Sequence, residues 1–221
     1  MSVEQSRVNR TAEYVASRVG RLQVRYRADR SDAVAALARL RRGVGRPPGE
    51  DIELFGLAFE NPQSEEGEAG SLFDELSLRG DEVTREEAAA FSAITLFAMH
   101  QQSRRDASMH RRGYSFGRSA RLLGRQSGNR DAVRRRFVAL GTATTWDETV
   151  HHARGLIQQL RQYKIPLDYG QFTKDLFDLR GERAERVRMS WGRDFYRTHH
   201  PQDDASDEGA SDADAMTDND D

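Results

Sequence analysis

The side chains best able to do chemistry in this chain are arginines. Residues 103–136 hold eleven of them against Asp106 and Asp131, a balance of 11 − 2 = +9. That density repels itself unless a polyanion or an acidic partner offsets it. Of the 34 basic residues only Lys164 and Lys174 are lysines. The guanidinium is a planar, permanently charged fork that matches phosphate oxygens two at a time. The arginines have few base-reading Asn or Gln neighbours, so the chemistry they suggest is backbone binding without sequence reading. Tyr26, Tyr114 and Phe116 lie near the cations in sequence and read as core or turn packing.

Other chemistries find little support. Glu148-x-x-His151 has the spacing of a carboxylate-bridged di-iron ligand pair. Such a site in a helical bundle needs two of these motifs plus two further inward Glu, and no second copy occurs. The glycine run 43–49 (GVGRPPG) has neither phosphate-loop spacing nor a following Gly-Lys-Ser/Thr, so it reads as a turn. No nucleophile-elbow or zinc-protease motif is present, and the chain has no Cys. We assign no catalytic residue, no metal site and no cofactor.

The elements that must carry the arginines are helical. Thr84 and Glu87 have capping-box spacing and open a helix in which, from residue 88 to 99, only Ser92 and Thr95 are polar. A helix apolar on all sides is packed on all sides. Before it, residues 9–27 show Ala12, Val15, Val19 and Leu22 at helical spacing, and Ser31-Asp32 is expected to cap a second helix. Residues 50–60 suggest a short helix with Ile52, Phe55 and Phe59 inward. After it come a turn at 110–113, helices at 114–123 and 130–140, and one opened by a second capping box, Thr145/Glu148. Asp168 begins another, with Tyr169, Phe172, Leu176 and Leu179 on one face. The last, 181–197, sets Ala184, Val187, Trp191 and Phe195 on one face. Its Arg183, Arg186, Arg193 and Arg197 form a stripe roughly 130° away, at about 100° per residue. The expectation is an all-α fold of about nine helices in two small packed bundles, 1–102 and 103–200.

Charge is segregated along the 221 residues. The span 47–87 has thirteen acids against Arg79 and Arg85, and its part 61–82 reads as an acidic loop with a short helical island at 72–78. Residues 201–221 hold nine acids and no Lys or Arg, an acidic tail expected to be disordered. The remaining 200 residues therefore carry 34 − 27 = +7. No apolar run approaches a bilayer span, the N-terminus lacks a signal-peptide core, and the absence of Cys suits a reducing compartment. The expected place is the cytoplasm, away from membranes.

Five blocks taken together carry a resemblance. They are AAFSAITLFAMHQQS (89–103), GYSFGRSARLL (113–123), RRRFVAL (134–140), HHARGLIQQLRQYKIPLDY (151–169) and RVRMSWGRDFY (186–196). In this order and spacing the chain resembles the CasB family, the small subunit of the type I-E CRISPR Cascade complex, from about residue 32 to 197. The resemblance implies a non-enzymatic, all-helical subunit that is present in two copies. It would contact the backbone and large subunits of Cascade and steady the guide RNA–target DNA duplex and the displaced strand. By position, the family's basic surface maps onto Arg41, Arg42, Arg111, Arg112, Arg118, Arg121, Arg134 and Arg135. Arg183 and Arg186 join them on the stripe argument alone. The competing reading is a stand-alone helical DNA-binding regulator, which requires polar base-reading side chains on one helix. The arginine stripes are poor in them.

Overall fold

The computed structural model describes residues 3–59 and 83–197. Among them are nine α-helices and no strand: α1 (Val3–Arg27), α2 (Ser31–Leu40), α3 (Ile52–Phe59), α4 (Arg85–Gln101), α5 (Phe116–Gln126), α6 (Arg130–Thr142), α7 (Trp146–Gln162), α8 (Tyr169–Leu179) and α9 (Ala184–Tyr196). The acidic loop 61–82, its helical island and the tail 201–221 lie outside the described residues. No described helix is long and apolar enough to cross a membrane.

The centre is α4, and its composition requires that. Every residue from Ala88 to Gln101 is buried. Thr84 Oγ1 accepts from the Glu87 amide at 3.2 Å, and Glu87 Oε2 accepts from the Thr84 amide at 2.7 Å, so the capping box closes both ways. The buried Thr95 hydroxyl donates to the Phe91 carbonyl within its own helix, 2.9 Å away. That bond removes the cost of taking the hydroxyl out of water. α1, α2, α3, α7 and α8 all pack on α4. Phe97, fully buried, meets the Tyr169 ring edge-on at 5.3 Å between centroids.

A second centre is aromatic. Phe116 of α5, Phe137 of α6, Phe172 of α8, and Trp191 and Phe195 of α9 are all buried. Phe116 lies 5.1 Å from both Phe172 and Trp191, and Phe137 lies 4.8 Å from Phe195. Each pair adds about 0.5–1.5 kcal/mol beyond the area it buries. α5 and α9 can close on this cluster because residue 117 is glycine: a Cβ there would run into the Trp191 carbonyl. The buried apolar cluster is continuous from Val8 to Phe195 and crosses residue 102. The long first helix lies along α8, where a Cβ on Gly170 would come within 3.0 Å of the Ala16 methyl.

Several local expectations shift. α1 starts at Val3, six residues before its apolar repeat suggests. Its first turns are held from elsewhere, by a Glu4–Arg85 ion pair of 2.8 Å and a hydrogen bond from Arg183 to Gln5. Ser31 does not cap α2: Arg30 holds the cap position without a side-chain bond, and Asp32 instead accepts from Arg25. Ile52, expected inward, is 86% exposed, because α3 buries Leu54, Ala58 and Phe59 and half-buries Phe55. With six apolar residues among eight, the sequence of α3 does not single out one face. Tyr114 precedes its helix: Ser115 is the cap of α5, and its hydroxyl oxygen accepts from the Arg118 amide.

Candidate nucleic-acid interface

The segment joining α4 to α5 is clamped from three sides. Gln101 Oε1 accepts from the Met109 amide at 3.1 Å, and its side-chain N–H groups donate to the carbonyls of Arg104 and Ala107. From α1, the buried Gln23 amide accepts from the His110 N–H at 2.7 Å and donates to the His110 carbonyl at 3.1 Å. From the approach to α8, the Leu167 and Asp168 amides donate to the carbonyls of Met109 and Tyr114, at 3.0 and 2.7 Å. The Tyr169 amide lies 3.1 Å from His110 Nδ1, and the Leu167 carbonyl lies 3.3 Å from the same nitrogen, so the ring is fixed by the approach to α8. Burial pushes the His110 pKa down, against an opposing pull from the Asp168 carboxylate. Gly113 turns the corner at φ 79°, a conformation costly to any residue with a Cβ, and its N–H donates to Asp168 at 2.9 Å.

This rigid elbow collects the arginines. The buried Tyr114 ring has the Arg118 guanidinium 4.1 Å from its centroid and that of Arg111 at 5.2 Å. Arg111 also donates to the Tyr114 hydroxyl, and Arg118 to the Gly113 carbonyl at 3.2 Å. Each cation–ring contact contributes about 0.5–1 kcal/mol at a partly exposed site. Both heads are thereby ordered before any ligand arrives, so less rotamer entropy is lost on binding. Arg112 is exposed beside them, and Arg121, one turn further along α5, donates to the Arg197 carbonyl at 3.3 Å. The structure thus brings Arg111 and Arg118 together on the Tyr114 ring, with Arg112 in the elbow next to Arg111 and Arg121 one turn beyond Arg118 on α5.

The other six expected residues lie elsewhere. Arg134 and Arg135 are exposed on α6, which packs on α5, opposite the buried Val133, Phe137 and Leu140. Arg134 sits 3.6 Å from Asp131, and Arg135 makes no hydrogen bond or ion pair among the described residues. Arg186 is exposed on the first turn of α9, whereas Arg183 is half-buried against Gln5 and Asp178. Arg41 and Arg42 occupy a short 3-10 turn after α2, a helix that packs on α1, α3 and α4.

Some of the +9 has structural work. Arg104 donates to the Arg161 and Gln162 carbonyls at the end of α7, where the Arg161 carbonyl also accepts from the Lys164 amide. Arg105 pairs with Asp29 at 2.7 Å. Arg130, which sequence reasoning passed over, lies 6.0 Å above the Phe195 ring, beside the end of α9 that Arg121 also touches. Its only sequence signal is membership of the arginine-dense segment.

Glu148 is committed to capping: its Oε2 accepts from the Thr144 and Thr145 amides at 3.0 and 3.2 Å, and these bonds hold its pKa below the ordinary value. No group of three or more His, Cys, Asp or Glu is placed to hold a metal among the described residues. A separate cleft of about 810 Å³ is lined by Arg46, Arg154, Arg180, Trp146 and His151, among others. The titratable groups with the largest shifts, His100, Tyr169 and Asp175, lie inside the core and outside that cleft.

Residues 36–196 match the family model of the CRISPR-associated protein Cse2. The chain belongs to this family. It is similar to the crystal structure of CasB from Thermobifida fusca at 36% identity and a TM-score of 0.68, covering 84% of this chain and 97% of that one. The fold also matches CasB from M. ruber (22% identity, TM-score 0.55, 86% of this chain and 95% of that one). A chain described as a CRISPR RNA-guided surveillance complex matches at 23% identity and a TM-score of 0.60, over 91% and 99% of the two chains. No curated protein sequence matches. The Cse2 match begins within α2 and ends with α9, so it includes the elbow and α5.

Proposed function

We propose that this Cse2-family chain is a non-catalytic small subunit of a CRISPR RNA-guided surveillance complex in the cytoplasm. In this reading it binds the sugar-phosphate backbone of guide RNA and target DNA and steadies their duplex and the displaced strand. Its protein partners are the backbone and large subunits and a second copy of itself. The observation that supports the nucleic-acid part is Arg111 and Arg118 held on one tyrosine ring at a clamped elbow, with Arg112 next to Arg111 in the chain and Arg121 one turn beyond Arg118. Fork-shaped cations on a stiff support suit repeated phosphates, and their immediate neighbours are a ring and backbone carbonyls, which do not read bases.

The test is binding of a labelled oligonucleotide, and target retention by the reconstituted complex, for the wild type and the pair Arg118→Ala/Arg121→Ala. Neither side chain belongs to the buried apolar cluster, so the variant should fold. We expect weaker binding and a log–log salt slope flatter by roughly one to two units, the loss of two phosphate contacts. A variant that is missing from the complex would make this surface a protein interface. Strong preference of the wild type for one duplex sequence would favour a DNA-binding regulator instead.

A further inference from the structure

The described chain ends at the basic surface. The Arg197 carbonyl accepts from Arg121, and two residues earlier Phe195 lies beneath Arg130. The exit is fixed relative to the arginines, because α9 is seated on α5 at the Gly117–Trp191 approach. Beyond it the sequence continues for 221 − 197 = 24 residues, with nine acids from Asp203 onward and no Lys or Arg.

We infer that this acidic tail occupies the surface of Arg111, Arg112, Arg118, Arg121 and Arg130, as a tethered polyanion that competes with nucleic acid. The competition rests on the function proposed above; the docking does not. Reach is not limiting: Asp203 is six residues past Arg197, a span of up to about 20 Å. Tethering sets the local concentration of the tail in the millimolar range. A contact with an intrinsic dissociation constant near 1 mM is then occupied much of the time. Each exposed carboxylate–guanidinium pair is worth little, so the contact has no single geometry and yields to salt.

The charge spacing decides which anion wins. Nine charges over residues 203–221 give one per two residues, or about 7 Å of extended chain, against one per about 1.7 Å along duplex DNA. Extended nucleic acid displaces the tail, whereas short or sparse anions do not. The tail therefore raises the threshold for binding at this surface.

The experiment compares the full chain with a full-length variant whose nine tail acids are changed to Asn or Gln. The first probe is a labelled single-stranded oligonucleotide, and the second is a labelled peptide of residues 201–221 added to the neutralised variant. We expect the variant to bind the oligonucleotide about two- to tenfold more tightly at low salt, with the gap closing as salt rises. We also expect the peptide to bind the variant, to be displaced by the oligonucleotide, and to be released by Arg118→Ala/Arg121→Ala. Failure of the peptide to bind at low salt overturns the inference, as does binding that ignores the two arginines. Equal oligonucleotide affinities for the two full-length proteins overturn the competition. If the peptide binds and the oligonucleotide does not, the docking stands and the nucleic-acid function falls.

Discussion

Asp175→Asn should remove most of a pH dependence that one buried carboxyl gives this protein. Asp175 is 6% exposed at the junction of α8 and α9. Its Oδ2 accepts from the Trp191 indole N–H at 2.7 Å, and its Oδ1 from Gln171 at 2.8 Å. Burial raises its pKa to about 7; the two hydrogen bonds pull the other way, and Asp178 and Asp168 add to the rise. The folded protein therefore holds this proton in a range where the unfolded chain has released it. Stability from this site is fully present below the ordinary value of 3.8 and is lost as pH rises through about 7. A rise of roughly three units at about 1.36 kcal/mol each gives about 4 kcal/mol in all, of which about 2–3 kcal/mol falls between pH 5 and 7.5. For a chain of this size that is a fall in Tm of roughly 5–10 °C. Asparagine keeps an oxygen for Trp191, and the exposed Gln171 amide can turn to accept from the new NH₂. The assay is thermal unfolding of both proteins from pH 5 to 8. We expect the wild-type curve to descend relative to the variant by that amount, with the variant more stable at pH 8. Parallel curves would show that Asp175 stays ionised throughout and would refute the burial argument.

Two further substitutions test the packing. Phe97→Ala hollows the middle of α4 under the Tyr169 ring and should cost about 3–5 kcal/mol, read by chemical denaturation. A loss under 1 kcal/mol would mean that the helices around α4 collapse into the gap. Gly117→Ala drives a methyl into the Trp191 carbonyl and must separate α5 from α9. It should lower stability by about 1–3 kcal/mol and alter Trp191 fluorescence, whereas an unchanged spectrum and Tm would contradict the close approach.

The sequence by itself determined what is local or periodic. The capping boxes at Thr84/Glu87 and Thr145/Glu148 and the cap at Asp168 were legible because their partners lie three residues away. The all-apolar stretch of α4 could only be a central helix, and the spacing of Val187, Trp191 and Phe195 named the buried side of α9. The five blocks that carried the family resemblance fall on α4, α5, α6, α7 with the start of α8, and α9, and the Cse2 match spans them all. What required long-range contacts stayed hidden. The first turns of α1 meet Arg85 and Arg183 from far along the chain, and α3 buries Leu54, Ala58 and Phe59 while Ile52 faces out. A run of arginines does not reveal that Arg104 serves the end of α7 while Arg111 and Arg118 share one tyrosine. Nor does it reveal that Asp175 is sealed under Trp191. Charge and hydrophobicity are properties of single residues, but burial and pairing depend on which helices meet, and only the tertiary structure decided that.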